Sequence, residues 1–155
     1  MGHEIRHDGI RPAASHVKAV QDWPLPATKS QACLFLGLAY YYRDHIKDYA
    51  RLSAPWTAVT GKMDKEAERT PLTITPQMVE SFKALKGRLT TFPVLGFSHF
   101  RGAKAGKFIL DTDFSIDQTA GILSQLQGGR EVVIAYGSKK LEKCQKNYPL
   151  SLIHI

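Results

Sequence analysis

Apolar positions along the chain follow two rhythms, and the change comes near Pro93. Met78, Phe82, Leu85, Leu89 and Phe92 recur at intervals of four, three, four and three, which marks one face of a helix. Thr75-Pro76 supplies an N-cap and a first-turn proline ahead of that stripe, so the helix is expected to begin there and to close at Pro93. Upstream, Thr28 with Gln31 three residues on matches a capping box. Leu34, Leu38 and Tyr41, flanked by Phe35, Ala39 and Tyr42, then give a second and wider stripe. Residues 13–23 carry His16, Val17 and Val20 at helical spacing and stop before Pro24 and Pro26, neither of which can continue a helix. A short helix over 51–59 would pack Leu52 and Trp56, whereas 61–71 is charged and aperiodic and reads as an exposed loop.

Alternation of period two marks the strands. Residues 2–12 read as a hairpin with Asp8-Gly9 as its turn. Beyond Pro93, 108–114, 119–127 and 131–137 read as three strands, with Gly128-Gly129 a tight turn between the last two. The expected fold class is α+β: a mainly helical first part with a short β-hairpin, then a three-stranded antiparallel meander. Three strands with an open edge and no covering helix bury little, so this second unit reads as the truncated start of a larger one.

Composition narrows the partners. The apolar fraction of 43% is that of a folded globular protein. A formal net charge of +7 favours an anionic partner, nucleic acid before a membrane surface. Cys33 and Cys144 have neither zinc-site spacing nor the density of a secreted disulfide framework, which fits a reducing compartment. The most apolar run, 33–42, is far short of the ~20 residues of a membrane span, and no signal-peptide core opens the chain. An intracellular protein, cytoplasmic or nuclear and without a membrane partner, is expected.

Chemistry concentrates in a few places. Alternation puts Asp111 and Asp113 on one face of the 108–114 strand, roughly 6 to 7 Å apart by the strand rise. Like charges so placed call for an intervening cation or for solvent, and for a bare Asp-x-Asp solvent is the more frequent answer. Tyr41 and Tyr42 run into Arg43, Lys47 and Arg51, an interleaving of rings and cations that suits a nucleic-acid backbone as well as it suits core aromatics beside solvated cations. Lys83, Lys86 and Arg88 fall off the stripe of their helix and read as a solvated face. His3, His7 and His16 are expected in solvent, and Cys33 is expected as a buried structural thiol.

Several motifs in sequence order resemble the junction of reverse transcriptase and RNase H in gypsy-type LTR retrotransposon polyproteins. Gly2-His3 with Asp8-Gly9-Ile10-Arg11-Pro12 resembles that family's glycine-histidine hairpin and following turn. Val17 to Pro24 is similar to its V-x-A-I-x-x-W-P helix, and Phe35 to Arg43 to its F-L-G-L-x-x-Y-Y-R signature. Phe82 to Leu89 with Pro93-Val94-Leu95, Phe108 to Ser115, Ile134-Ala135-Tyr136 with Ser138, and Asn147-Tyr148 continue the likeness.

The resemblance implies that residues 1–92 are the end of the palm, with its primer-grip hairpin, and the thumb. It implies that 93–155 opens an RNase H-like domain and leaves it incomplete. Asp113 would match the first catalytic carboxylate and a ligand of Mg2+ in the parent enzyme, with Asp111 only a neighbour. Gly2, His3, Tyr41, Tyr42, Arg43 and Lys47 are the implied nucleic-acid-binding residues. The implied partners are an RNA–DNA hybrid or template-primer duplex and the remainder of the polyprotein. Two-metal hydrolysis needs ions about 3.5 to 4 Å apart, held by several carboxylates, and no acidic residue follows Glu142. No Tyr-x-Asp-Asp occurs either. The chain alone is therefore expected to catalyse neither parent reaction and to hold no metal stably. The alternative is a non-catalytic nucleic-acid-binding module derived from the thumb. Phe114, where the family has alanine, is expected to crowd the metal site, and the last seven residues depart from the pattern as a truncated or frame-altered end would.

Overall fold

The computed structural model describes residues 2–7, 9–61, 71–91, 93–102, 105–142 and 145. Strands β1 (His3–Arg6) and β2 (Gly9–Pro12) form an antiparallel hairpin. Helices α1 (Ala14–Gln21) and α2 (Lys29–Tyr41), a short 3-10 helix (Arg43–His45), and helices α3 (Tyr49–Thr60) and α4 (Pro76–Thr90) follow. Strands β3 (Phe108–Phe114), β4 (Gln118–Gln127) and β5 (Arg130–Lys140) complete an antiparallel sheet in the order β3-β4-β5. The α+β expectation holds. The charged loop expected over 61–71 and the final residues lie largely outside the described residues.

The helices end where their sequences say. Thr28 accepts from the Gln31 N–H, and the Gln31 side chain reaches back to the Ala27 N–H at 2.9 Å, one residue earlier than a standard capping box. Thr75 accepts from the Met78 N–H, with Pro76 in the first turn of α4. Helix α1 has no side-chain cap of its own; Glu4 of β1 accepts from the Ala14 N–H instead, which is the main cause of its lowered pKa.

The core lies among the helices. Val20, Ala32, Phe35, Leu36, Ala39, Tyr42, Ile46, Tyr49, Trp56, Met78, Phe82, Leu85 and Leu89 form one buried cluster. The Trp56 indole N–H donates to the Met78 carbonyl at 3.1 Å inside it, and Ser81 donates to the Leu52 carbonyl. The stripe expected on α2 is rotated: Ala32, Phe35, Leu36 and Ala39 are buried, while Leu34 and Tyr41 are 63% and 56% exposed. Cys33, expected buried, is intermediate. Lys86, expected on a solvated face, donates to the Trp23 carbonyl at 2.8 Å and so ties α4 to the end of α1.

The sheet is thinner. β4 pairs with β3 in continuous register and with β5 through a bulge at Leu123/Ser124. Gly128 and Gly129 both take positive φ (57° and 82°), as a type I′ hairpin turn requires. Most of the sheet's side chains are half-buried, and Leu110 is 66% exposed. The N–H of Ala50 donates to Ser138 Oγ at 2.9 Å, so the first turn of α3 is tied to β5.

Candidate nucleic-acid interface and carboxylate cleft

Strand β3 carries Ile109, Asp111 and Asp113 on one face, opposite Ser124, Ile122 and Ala120 of β4. Both carboxylates are exposed. They line a cleft of about 390 Å³ together with Thr112, Ala120, Gly121, Ile122 and Gly137 of the sheet. Lys47 and Asp48 close the far side, set there by the tie between Ala50 and Ser138. Asp48 is engaged with Arg51 at 3.5 Å. Phe114 does not crowd this cleft: as the next residue after Asp113 in a regular strand, it projects from the opposite face.

The two aspartates fit a hard divalent ion in kind, since such ions take oxygen donors. They fall short in number. Among the described residues no group of three or more His, Cys, Asp or Glu side chains is arranged to hold an ion.

The second cluster seats the hairpin. Tyr42, at the end of α2, is 1% exposed; its hydroxyl donates to the Gly2 carbonyl at 2.7 Å and lies 2.9 Å from His16 Nδ1. A Cβ on Gly2 would stand 2.8 Å from Tyr41 Cε1, so any other residue here would have to displace the Tyr41 ring. The His3 ring is surrounded by Tyr41, Tyr42 and His45 at centroid distances of 5.2, 5.1 and 5.6 Å. Tyr41 stays 56% exposed while its hydroxyl lies 3.3 Å from His3 Nδ1. His45 is buried, with Nδ1 3.4 Å from the Pro93 carbonyl. Burial lowers the His45 pKa and raises that of Tyr42.

Gly2, His3, Tyr41 and Tyr42 are thus brought together. Arg43 sits on the adjoining turn, its guanidinium 4.3 Å above the Tyr40 ring and 3.5 Å from Asp44. Lys47 lies apart from them, in the cleft with Asp113. Burial of Tyr42 takes its ring off any surface a duplex could reach, so its work is to hold the hairpin. His3 and His16, expected in solvent, are half-buried parts of that seat, and His7 alone of the three is exposed. His45 is the member of this seat that sequence reasoning missed, because no periodicity pairs it with His3.

The chain thus combines a hairpin braced on a helical unit with a sheet whose first strand carries exposed carboxylates. Residues 74–152 match the RNase H-like domain found in reverse transcriptase, and the chain belongs to that family. It is similar to the retrovirus-related Pol polyprotein from transposon opus of Drosophila melanogaster, with 32% identity over 153 residues, covering 96% of this chain and 15% of the relative. It is also similar to that from transposon gypsy of the same organism, with 30% identity over 154 residues, covering 96% and 14%. The chain therefore spans about a seventh of these relatives' length. In fold it is similar to the foamy viral protease-reverse transcriptase in complex with RNA/DNA hybrid, with a TM-score of 0.74 at 16% identity, covering 99% of this chain and 20% of that one. Domains of the matched family work with divalent metal ions. Among the described residues no helix is long and apolar enough to cross a membrane.

Proposed function

We propose that this chain is the stretch of a retrotransposon Pol polyprotein that joins the thumb of the reverse transcriptase to the RNase H domain. Residues 1–92 are the end of the palm and the thumb, and 93–155 are the opening of the RNase H domain. The boundary is supported by α4, which is buried with α2 and α3 in one core although the family match begins at residue 74. Its partners are an RNA–DNA hybrid or template-primer duplex and the rest of the polyprotein, inside the cell.

The observation that carries this reading is the seat of the Gly2 hairpin on Tyr42, with the Asp113 cleft opening on the sheet side of the same helical unit. Tyr41, Arg43 and Lys47 are the exposed residues that would meet the duplex. Gly2, His3 and Tyr42 shape the hairpin that does so. Asp113 is the first RNase H carboxylate, and Mg2+ is the ion it would hold, with Asp111 beside it on the same face. When bound, such ions activate a water and stabilise the leaving oxygen of a phosphodiester. Two aspartates hold them poorly, so catalysis belongs to the polyprotein and this stretch contributes one carboxylate and part of the grip.

Anisotropy of a labelled RNA–DNA hybrid tests the grip. Contacts by about three cations give a slope near −3 in log affinity against log salt, and Arg43→Ala should reduce that slope by about one. No association at low salt would end the duplex reading. Magnesium-dependent cleavage of the hybrid by this chain, lost in Asp113→Asn, would refute the claim that catalysis needs the polyprotein.

A further inference from the structure

Leu95 and Gly96 lie in the segment between α4 and β3, and both are buried. Leu95 exchanges both backbone hydrogen bonds with Ile10 of β2, at 2.8 and 3.0 Å. In extended chain the backbone groups of successive residues point to opposite sides, so the next N–H is directed away from the hairpin. That N–H, of Gly96, donates to the Val133 carbonyl of β5 at 2.8 Å. Two consecutive residues thus bond the hairpin on one side and the sheet on the other. They bridge a cleft of about 400 Å³ that has Ile5 and Ile10 on its hairpin wall and Ile134 and Ala135 on its β5 wall.

Each crossing is closed by a glycine. A Cβ on Gly9 would stand 2.2 Å from the Leu95 carbonyl oxygen, and one on Gly96 would stand 2.2 Å from Val132 Cγ1. Gly96 does not take a positive φ, so its reason for being glycine is this close approach and not its backbone conformation. We propose that Leu95 and Gly96 are positioning residues: they form a strap that fixes the hairpin relative to the sheet, and so sets the separation between the hairpin and the strand that carries Asp113. The strap itself follows from the fold; only its meaning for a bound duplex rests on the gripping reading.

The place at which the strap holds β5 matters. Val133 adjoins the bulge at Leu123/Ser124, where the ladder to β4 is interrupted and a strand bends most readily. The bond from Gly96 fixes β5 at that point. A further tie, from the Ala50 N–H to Ser138 Oγ, joins β5 to α3 five residues farther along, roughly 16 Å by the strand rise. One tie would leave the sheet to pivot about it, whereas two so far apart fix its orientation. Beyond the strap, Gln127 and Gln125 of β4 hold Phe97 and His99, so the segment stays on the sheet once Gly96 has reached it.

Amide residual dipolar couplings of the free full chain test the strap. In the native chain one alignment tensor should fit β1–β2 and β4–β5 together. Gly96→Ala should force the strap off β5, because Val132 is β-branched and has few rotamers to turn to. The hairpin and the sheet should then need separate tensors, and exchange protection of the amide at position 96 should fall about tenfold, as for one lost backbone hydrogen bond. Adding Val132→Ala removes Cγ1 and leaves the Cβ of residue 132 at an ordinary 3.5 Å, so the double variant should return to one tensor. A methyl that merely destabilised the chain would lower protection at Leu85 of α4 equally and leave a single tensor. Native exchange needs no variant: Ile10, Leu95 and Gly96 should open together, with protection factors within about threefold of one another. One tensor in Gly96→Ala, two in the double variant, or native protection at Gly96 far below that at Ile10 overturns the proposal. Hybrid binding is measured alongside: one tensor in the native chain, split by Gly96→Ala, without hybrid association at low salt supports the strap and overturns the duplex reading alone.

Discussion

Gln125 shows how a single polar side chain does the work of a core in the sheet. It is fully buried, its Nε2 donating to the carbonyls of His99 and Gly106 at 2.7 and 3.0 Å and its Oε1 accepting from the His99 N–H at 2.9 Å. Gln127 donates to Gln125 Oε1 and to the Phe97 carbonyl, so two glutamines pin the segment that leads into β3 and hence set where Asp111 and Asp113 begin. Gln125→Leu keeps the volume and strands three backbone groups, so it should cost about 2 to 3 kcal/mol, read as a lowered urea midpoint with unchanged slope. A native midpoint would mean that water takes over those groups. Nothing in the sequence announces this brace, because a glutamine in an alternating strand is expected to face solvent. The shared face of Asp111 and Asp113 was legible, because strand alternation alone fixes it. The same rule puts Phe114 on the other face, and the expectation that it crowds the carboxylates neglected it.

At the scale of elements, caps and prolines located the helices well, and apolar spacing located their faces less well. On α2 nearly every position is apolar, so periodicity could not choose between the Leu34-Leu38-Tyr41 line and the Ala32-Phe35-Ala39 line. The choice is made by α3, α4 and the Trp23 segment packing against the helix, and small Ala32 and Ala39 let them approach. The first hairpin was legible as a hairpin but not in its register. Arg6 pairs with Gly9, so Gly9 is a strand residue and not part of the turn. Its reason for being glycine is tertiary: φ is +145°, and a Cβ there would stand 2.2 Å from the Leu95 carbonyl oxygen. Gly9→Ala should therefore break the Ile10–Leu95 bridge and cost about 2 kcal/mol or more, from backbone strain and overpacking together. Circular dichroism melts would report the loss. Retained exchange protection at Ile10 in that variant would show that the hairpin can shift without leaving its seat.

Over the whole molecule the two halves differ in what holds them. The helical unit owns the buried apolar cluster, and no residue of β3, β4 or β5 belongs to it. The sheet depends on ladder hydrogen bonds, the glutamine brace and half-buried side chains, with Phe108 and Leu110 of its edge strand 44% and 66% exposed. Among the described residues β3 pairs only with β4. Local stability follows buried apolar contact, so native-state hydrogen exchange should be graded. Amides of α2 and α4 should open only with global unfolding, while those of β3 should open at a free energy lower by at least about 2 kcal/mol. Uniform opening energies across α4 and β3 would contradict this and would mean that the chain unfolds as one unit. The gradient matters for function, because Asp113 then sits on a strand that opens more easily than the helices. A carboxylate on such a strand is held in one place only when further structure covers the sheet, which is the physical argument behind the proposal that catalysis needs more of the polyprotein than this stretch.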